Sequence, residues 1–412
     1  MLNKDGVREL AYVVRIDNIT AIPGYDRVEL AHVGGWTIVV GKGEFQIGDP
    51  AIYFEIDSKL PEVEPFTNME FLTKKHYKIK TQKMCKSLSS GLLMSAANFG
   101  WTIGVDNQDS SDNVYFIIDD KGEHHYEGGE SRFLTEKLSI TYAVPDDNVR
   151  KAAPADKYKK MAQRHGKLFS KQPFRWLMKR DWGKKVLFLF FGRKRDKRAA
   201  WPNHIASKTD VERVQNMMWV LNNKEPYVAT EKIDGSSCSI MAERTRFGRI
   251  KYYICSRNVV FEDENQKCFY DENIYFEAYH KYNLKEKITQ ILNDYNLQNV
   301  ALQMEVFGPT VQKRDYSLQE REAMIFHIVS NGEKFPMDKV VEICEKYDLP
   351  HVPIVNDNFI LPDTIEELQA FVEGEGSRVD GGMREGIVFY DKKTGQQYFK
   401  FVSPEFLLKF HQ

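Results

Sequence analysis

The sequence lacks long apolar runs and contains few cysteines. The longest fully apolar run in its central region, Val186–Phe191, is far too short to cross a bilayer, which needs about 20 apolar residues. The first residues also lack the apolar core of a signal peptide. The five cysteines are odd in number and show no C-x-x-C spacing, which argues against a disulfide framework or a structural zinc site. We therefore expect a cytoplasmic protein that does not contact a membrane.

Net charge is also almost absent, because 58 Lys and Arg residues oppose 59 Asp and Glu residues. The charge is unevenly distributed, however: the segment from Arg150 to Arg198 holds 18 basic and 3 acidic residues. A basic segment on an otherwise acidic chain is suited to a polyanion. A solvated linker is the alternative, and composition alone favours it. Aromatic residues within the segment, such as Phe174 and Trp182, favour a packed element instead.

The N-terminal sequence contains short β-rich runs separated by turn residues. Val28–Val33 alternates in polarity and is followed by the hairpin turn pair Gly34–Gly35 and by the run Trp36–Val40. Gly48–Pro50 then predicts a turn before the run Ala51–Ile56. Closely spaced antiparallel strands of this kind predict a small β-barrel.

Further along, Lys208–Asn216 is predicted to be helical, because Thr209 and Glu212 have the spacing of a capping box.

The stretch Ala229–Ser237 contains the strongest local motif. The residues before Lys232 predict a short buried strand, so this lysine lies where a strand leaves its sheet. Alternation places Lys232 and Asp234 on the same side, and Gly235 lets the backbone turn and approach a ligand. A lysine in such a place can be a nucleophile if burial or neighbouring cations lower its pKa. Four-residue patterns recur by chance, however, and most such lysines are solvated.

Further motifs strengthen that prediction. They follow in a fixed order: Ser256–Asn258, Met304–Gly308, Phe326–Ile328, Arg384–Phe389 and Tyr398–Phe401. In this order and at these spacings, the set resembles the nucleotidyl-transferase motifs of covalent lysine nucleotidyltransferases. That group comprises ATP-dependent DNA and RNA ligases and messenger-RNA capping enzymes. The resemblance covers the chain from about Trp201 onward.

The N-terminal residues extend the resemblance to one branch of RNA ligases. Gly41–Phe45, Tyr53–Ser58 and Ser90–Leu93 look like the OB-like domain of the RNA ligase 5-like group, in which that domain precedes the ligase domain. The resemblance implies a multidomain α+β protein whose N-terminal OB-like β-barrel is followed by a nucleotidyltransferase domain with antiparallel sheets and flanking helices. The expected divisions are an OB-like domain at 1–100, an insertion and basic aromatic connector at 101–200, and an adenylyltransferase domain at 201–412.

The resemblance implies catalytic roles for four residues. Lys232 is the nucleophile that receives AMP from ATP, and Lys400 approaches the α-phosphate. Asp234 acts near the 3′-hydroxyl or the metal during sealing. Glu385 binds the divalent metal, Mg²⁺ or Mn²⁺, because such ions prefer hard oxygen ligands.

The resemblance assigns ATP contacts to further residues. Glu231 and the backbone before it contact adenine, and Phe326 stacks on the base. Glu305 binds the ribose hydroxyl, and Arg257 binds the ribose or the phosphate ends. Without the family, Phe326 could equally be a core residue, because it lies in an apolar run.

A separate set of residues is predicted to bind nucleic acid. OB barrels hold strands through basic grooves and aromatic faces, which makes Trp36 and Lys42 candidates in the barrel. Arg193, Lys194 and Arg195 are candidates in the connector. The alternatives are a core position for Trp36 and solvated faces for the charged residues.

Two positions depart from the family pattern. Val402 stands where ligases and capping enzymes often carry a second lysine, which leaves the α-phosphate contacts open. His327 stands where an aspartate often follows the stacking aromatic residue.

The resemblance therefore implies an ATP-dependent RNA ligase that seals 3′-hydroxyl and 5′-phosphate ends at nicks in a duplex during RNA repair. The pathway runs through lysyl-AMP and an adenylylated 5′ end. The expected partner is nicked or broken RNA, as RNA duplex or RNA–DNA hybrid, and the resemblance implies a monomer. Two alternatives are a GTP-dependent capping guanylyltransferase and a nucleic-acid-binding module with an inactive transferase domain. Only 12 residues follow Lys400, too few for the C-terminal OB domain of capping enzymes, and the complete motif set argues against inactivity.

Overall fold

Short strands dominate the N-terminal part of the chain. The computed structural model describes residues 1–2, 7–106, 114–119, 122–126, 133–143, 200–208, 210–395 and 398–411, with isolated positions between 174 and 187. The first strands are β1 (Ala11–Arg15), β2 (Asn18–Ala21), β3 (Val28–Val33), β4 (Trp36–Gly41), β5 (Pro50–Phe54), β6 (Ser58–Lys59), β7 (Thr81–Met84), β8 (Ser87–Ser90) and β9 (Leu92–Met94). One short helix, α1 (Glu70–Lys74), lies among them.

These strands form small antiparallel sheets with the orders β1-β5-β9, β2-β3-β4 and β7-β8. Alternation explains how they enclose a core: Trp36, Ile38 and Val40 of β4 are buried, whereas the residues between them are half-buried. The buried side chains form two apolar clusters, one containing Phe54 and the other Tyr53. The predicted short strands and turns are therefore present.

The turn between β3 and β4 needs glycine for two reasons. Gly34 has a φ of +54°, in the left-handed region that favours glycine. A Cβ at Gly34 would also lie 2.7 Å from the carbonyl oxygen of Gln215, to which the Gly35 N–H donates over 2.9 Å. The glycine pair thus lets the barrel contact the segment that leads into the C-terminal half.

Residues 102–143 add a second small sheet and then return to the barrel. Strands β10 (Thr102–Asp106), β11 (Val114–Asp119) and β12 (Gly122–Tyr126) form one antiparallel sheet. Strand β13 (Thr141–Tyr142) pairs with β6, and the Leu134 N–H donates to the Ala11 carbonyl over 2.7 Å. Residues 133–143 therefore pack with the barrel, although they lie beyond residue 100.

Two larger antiparallel sheets form the C-terminal half. Their strands are β14 (Tyr227–Lys232), β15 (Ser236–Arg244), β16 (Ile250–Ser256), β17 (Val260–Phe261), β18 (Asn299–Phe307), β19 (Glu322–Ser330), β20 (Glu333–Lys334), β21 (Ile354–Phe359), β22 (Gly386–Asp391) and β23 (Tyr398–Val402). One sheet has the order β21-β14-β22-β23 and the other β17-β16-β15-β18-β19-β20.

Helices cover both sheets. They are α2 (Ile274–Lys281), α3 (Leu284–Asp294), α4 (Met337–Lys346), α5 (Ile365–Glu373) and α6 (Pro404–Phe410). Ile288 and Val340 of α3 and α4 join the core of the six-stranded sheet, and Leu368 of α5 joins the core of the four-stranded sheet. The predicted combination of antiparallel sheets and flanking helices is confirmed. No helix in the described ranges has the length and hydrophobicity of a membrane span.

The helix predicted for Lys208–Asn216 is wrong. Arg213 forms a parallel bridge with Lys400, and the Lys400 N–H donates to the Glu212 carbonyl over 2.8 Å. Only Val214–Asn216 makes a single 3-10 turn. Thr209, the predicted cap, lies outside the described residues. Pairing with a strand distant in sequence thus outweighs the local capping pattern.

Candidate active site

A cavity of about 160 Å³ lies between the two C-terminal sheets. Lys232 ends β14 and Ser236 begins β15, so the motif at 232–236 carries the chain from one sheet to the other. Lys232 lines the cavity, as its strand-exit position predicts. The close approach at Gly235 is to protein, not ligand, because an added Cβ would clash with the carbonyl oxygen of Val306.

Lys232 is surrounded by carboxylates. Its Nζ donates to Glu385 Oε2 over 2.8 Å, and both side chains are largely buried. Burial alone would lower the pKa of Lys232, but Glu385, Glu305 and Asp234 together raise it above its ordinary value. Burial also raises the pKa of Glu305 to about 8, with Lys232 partly opposing it. The lysine therefore rests as an ammonium held by negative charge.

Asp234 is buried beside this group. Its backbone N–H donates to the Tyr316 hydroxyl over 2.6 Å, which fixes the turn after Lys232. Its Oδ1 lies 3.4 Å from Nε2 of His411, the residue after α6. Its Oδ2 is buried and has no hydrogen-bond partner among the described residues. A carboxylate in this state can accept a further ligand.

Lys400, on β23, lines the same cavity. Burial, together with the positive charges of Arg213 and Lys232, lowers its pKa to about 7. Arg213 is itself buried, lies 3.5 Å from Asp57 of the barrel and has an Nε without a hydrogen-bond partner in the described chain. Arg213 does not line the cavity, but its charge acts on Lys400, so an anion bound beside Lys400 would be stabilised by both charges.

A β-bulge brings two neighbouring aromatic side chains to the cavity. Gln303 pairs with His327 while Met304 pairs with Ile325, so Phe326 is the extra residue in β19. Phe326 and His327 both line the cavity. His327 Nδ1 donates to Gln303 Oε1 over 3.1 Å, because the Gln303 amide nitrogen donates to the Ser207 carbonyl. Burial lowers the pKa of His327, which keeps the ring neutral where an aspartate was expected.

Glu231 lines the cavity, but its carboxylate is occupied by protein. It accepts hydrogen bonds from the Ser377 hydroxyl and from the Arg378 N–H, the latter over 2.7 Å. The side chain thus anchors the loop that precedes Glu385.

Arg257 also lines the cavity and is paired with Asp210. Its guanidinium lies 5.6 Å from the ring of Tyr142, and Arg8 lies 5.5 Å from the same ring. Tyr142 thus links the barrel to a cavity residue.

The structure brings most predicted site residues together. Seven of them line or adjoin the cavity: Glu231, Lys232, Arg257, Glu305, Phe326, Lys400 and, through its bond to Lys232, Glu385. Asp234 is close enough to this group for its charge to raise the pKa of Lys232.

The nucleic-acid candidates do not join the cavity. Trp36 as a nucleic-acid contact is a wrong prediction, because the indole is 5 % exposed and donates to Asn216 Oδ1 over 2.7 Å. It belongs to the barrel core, as the sequence alternative held. Lys42 is exposed in the turn after β4 and stays a prediction. Arg193, Lys194 and Arg195 lie outside the described residues.

Three site residues were missed. Arg213, Tyr316 and His411 belong to none of the recognised motifs, and each reaches the site from a distant part of the chain. No local pattern marks Tyr316 or His411. For Arg213, the absent second lysine at Val402 was a usable signal, since it implied that a cation must come from elsewhere.

The carboxylates near Lys232 suit a divalent cation. Within the described part of the chain, Asp234 Oδ2 has no hydrogen-bond partner, and Glu385 and Glu305 supply further hard oxygen atoms. In the described ranges, no three His, Cys, Asp or Glu side chains are grouped closely enough to hold a metal ion by themselves. Mg²⁺ commonly takes one or two carboxylates and completes its shell with phosphate oxygens and water, so the arrangement fits that type of site.

Comparison with known proteins identifies two domains. Residues 225–402 match the RNA ligase family, and residues 10–96 match a family of OB-fold domains. No curated protein sequence matches the chain.

Several solved structures of Naegleria gruberi RNA ligase share the fold. One with pyrophosphate is 24 % identical, covers 97 % of this chain and 98 % of that chain, and has a TM-score of 0.67. A mutant with ATP and Mn is 23 % identical, covers 98 % of this chain and 100 % of that chain, and has a TM-score of 0.69. At this identity, the likeness establishes the fold alone.

Proposed function

We propose that the chain is an ATP-dependent RNA ligase acting through lysyl-AMP, because residues 225–402 match the RNA ligase family. The observation that carries the proposal is the convergence of Lys232, Glu385 and Lys400 at one cavity. A nucleophile, a carboxylate and a cation are the groups that nucleotidyl transfer requires.

In the first transfer, Lys232 Nζ attacks the α-phosphorus of ATP. A nitrogen–phosphorus bond forms, the bond from that phosphorus to the bridging oxygen breaks, and pyrophosphate leaves. The amine must first lose its proton to water, and the hydrogen bond from Lys232 Nζ to Glu385 Oε2, over 2.8 Å, opposes that loss while the carboxylate carries no cation. A divalent cation bound by Glu385 and Asp234 would offset the negative charge that raises the pKa of Lys232.

Lys400 and Arg213 supply the positive charge for the transferring phosphate. Lys400 is partly neutral near pH 7 without a ligand, so an approaching phosphate would favour its charged form. Arg213 forms a β-bridge with Lys400 and supplies the positive charge that a second lysine at position 402 would otherwise provide. These two cations stabilise the charge that develops on the phosphate oxygens.

The remaining cavity residues bind the nucleoside. Phe326 stacks on adenine, Glu305 contacts the ribose, and Arg257 contacts the ribose or the phosphates. Glu231 contributes through its backbone, because its carboxylate holds the loop at Ser377.

Two later transfers complete sealing: AMP passes to a 5′-phosphate end, and a 3′-hydroxyl then displaces it. We propose nicked RNA duplex or RNA–DNA hybrid as the substrate, RNA repair as the process, and a monomer as the acting form. We also propose a cytoplasmic location. The division into 1–100, 101–200 and 201–412 also stays a proposal, with residues 133–143 packed on the barrel.

Labelled nucleotides test the proposal. The protein is incubated with α-labelled ATP or GTP and a divalent cation, and acid-stable label on protein is measured. Sealing of a nicked duplex with an RNA 3′-hydroxyl strand is followed in parallel. We expect label from ATP alone and ATP-dependent sealing; label from GTP alone would support a capping guanylyltransferase instead. Replacement of exposed Lys392 serves as a matched lysine control.

A further inference from the structure

The hairpin between β15 and β16 ends in a basic tip that carries an exposed aromatic residue. Four of the eight residues Arg244–Lys251 are basic and none is acidic. Phe247 is 91 % exposed, and Arg246 and Arg249 are exposed on either side of it. Neither of these arginines has an ion-pair partner in the described part of the chain. The tip therefore presents an aromatic face between two uncompensated charges.

The tip is an ordered turn. The Thr245 N–H and hydroxyl both donate to the Arg249 carbonyl, over 2.7 and 2.9 Å. The Gly248 N–H donates to the Thr245 carbonyl over 2.9 Å, and Gly248 has a φ of +74°. The turn geometry needs the glycine but places no demand on the residue before it. Phe247 therefore has no packing or turn role within the described chain.

We propose that this hairpin tip binds the RNA substrate away from the sealing site. Phe247 stacks on a base while Arg246 and Arg249 contact phosphates. Single-stranded and frayed nucleic acids are bound in this way, by a π-face for stacking and cations for the backbone. The inference rests on the proposed function, which supplies RNA as the partner.

The length of β15 sets the distance between tip and active site. Ser237 lines the cavity, and β15 extends from Ser236 to Arg244. Eight residue steps in an extended strand span about 27 Å. At about 3.4 Å per nucleotide step along a strand, this corresponds to roughly eight nucleotides. A substrate whose strand runs along β15 must therefore extend that far from the sealed bond to reach Phe247.

Charge favours RNA over other occupants. A protein-binding hot spot is an aromatic residue in an apolar, desolvated surrounding, whereas the residues next to Phe247 are exposed arginine and glycine. A membrane-inserting tip needs more apolar area than one phenylalanine provides. Alternating cationic and aromatic side chains match a polyanion with stacking bases.

Two variants test the proposal in the full chain. Phe247→Ser removes the stacking face, and the double variant Arg246→Gln, Arg249→Gln removes the charges. The matched control is Lys392→Gln, Lys393→Gln, which neutralises two charges at the turn between β22 and β23. Binding of a nicked RNA duplex is measured by fluorescence anisotropy over a range of salt concentrations. Short arms have about five base pairs, and long arms continue these five pairs as a single strand of about ten nucleotides.

With long arms, we expect Phe247→Ser to raise Kd about tenfold. The double arginine variant should flatten the log–log salt slope by about 1.5, the value for two lost phosphate contacts. With short arms, both variants should bind like the unmodified protein. Equal loss in the lysine control, or unchanged affinity on long arms, would overturn the proposal. Variant-sensitive binding to anionic phospholipid vesicles with unchanged RNA affinity would also overturn it.

An assay of AMP transfer onto the protein distinguishes a failure of the hairpin proposal from a failure of the proposed function. The reaction needs no RNA, so it also reports that the nucleotide site of each variant is intact. Absence of label on the unmodified protein would refute the ligase proposal while the binding assay still tests the hairpin. Normal label with unchanged RNA binding in the variants would refute the hairpin alone.

Discussion

Replacing Lys400 with methionine should stabilise the fold while impairing nucleotidyl transfer. The Lys400 pKa falls from 10.5 to about 7, chiefly through burial. At 1.36 kcal/mol per pKa unit, holding the charged form in the folded state costs at most about 5 kcal/mol. Lys400 is only half-buried and faces an open cavity, so screening by water reduces this to roughly 2 kcal/mol. Methionine has a similar length and avoids that cost.

The stability difference should depend on pH in a defined direction. Between about pH 7 and pH 10, the unfolded chain keeps a proton on Lys400 that the folded protein has released. The unfolded state then binds more protons, so the free energy of unfolding of the unmodified protein rises with pH in this window. The Lys400→Met variant lacks this contribution. Its advantage should therefore be greatest at or below pH 7 and shrink toward pH 10.

Urea unfolding at pH 7 and pH 9 measures both quantities, with Lys400→Arg as a control that keeps the charge. We expect Lys400→Met to have the higher midpoint at pH 7 and a smaller advantage at pH 9. ATP with a divalent cation should raise the midpoint of the unmodified protein more than that of the methionine variant. A methionine variant that is less stable at pH 7, or a stability difference independent of pH, would show that burial of the Lys400 charge does not destabilise the fold.

Substitutions at three other positions should give distinct outcomes. Glu385→Gln removes the carboxylate charge that accepts a hydrogen bond from Lys232, and with it a metal ligand. Lysyl-AMP formation should therefore fall by orders of magnitude, and normal rates at limiting Mg²⁺ would contradict this. Arg213→Ala should slow AMP transfer, measured as a single-turnover rate, and Arg213→Lys should slow it less. If both variants transfer AMP as fast as the unmodified protein, Arg213 does not act on the phosphate. Ser377→Ala should lower the free energy of unfolding by about 1–2 kcal/mol, because Glu231 loses one hydrogen-bond donor; an unchanged urea midpoint would show that this contact does not anchor the loop.

Local patterns predicted the elements that depend on short-range alternation and turns. β3, Gly34–Gly35 and β4 appear where the sequence places them, because each strand alternates and glycine is required between them. The strand-exit position of Lys232 was predictable for the same reason. Alternation and turn chemistry are properties of consecutive residues, so a single sequence contains them.

Contacts between distant segments were not predictable in this way. Arg213 was assigned to a helix because its neighbours resemble a capping box, yet β23 pairs with that segment instead. Tyr316 and His411 reach Asp234 from far along the chain. The role of Glu231 also changed, since its partners at 377–378 lie about 146 residues away. Local propensity contributes too little energy to decide such pairings.

Peptide mapping can show directly whether Lys232 carries AMP covalently. The unmodified protein, Lys232→Ala and the control Lys392→Ala are incubated with ATP and Mg²⁺, digested and analysed by mass spectrometry. We expect an AMP adduct on the peptide containing Lys232 in the unmodified and control proteins and no adduct in Lys232→Ala. An adduct on another residue, or one retained in Lys232→Ala, would contradict it.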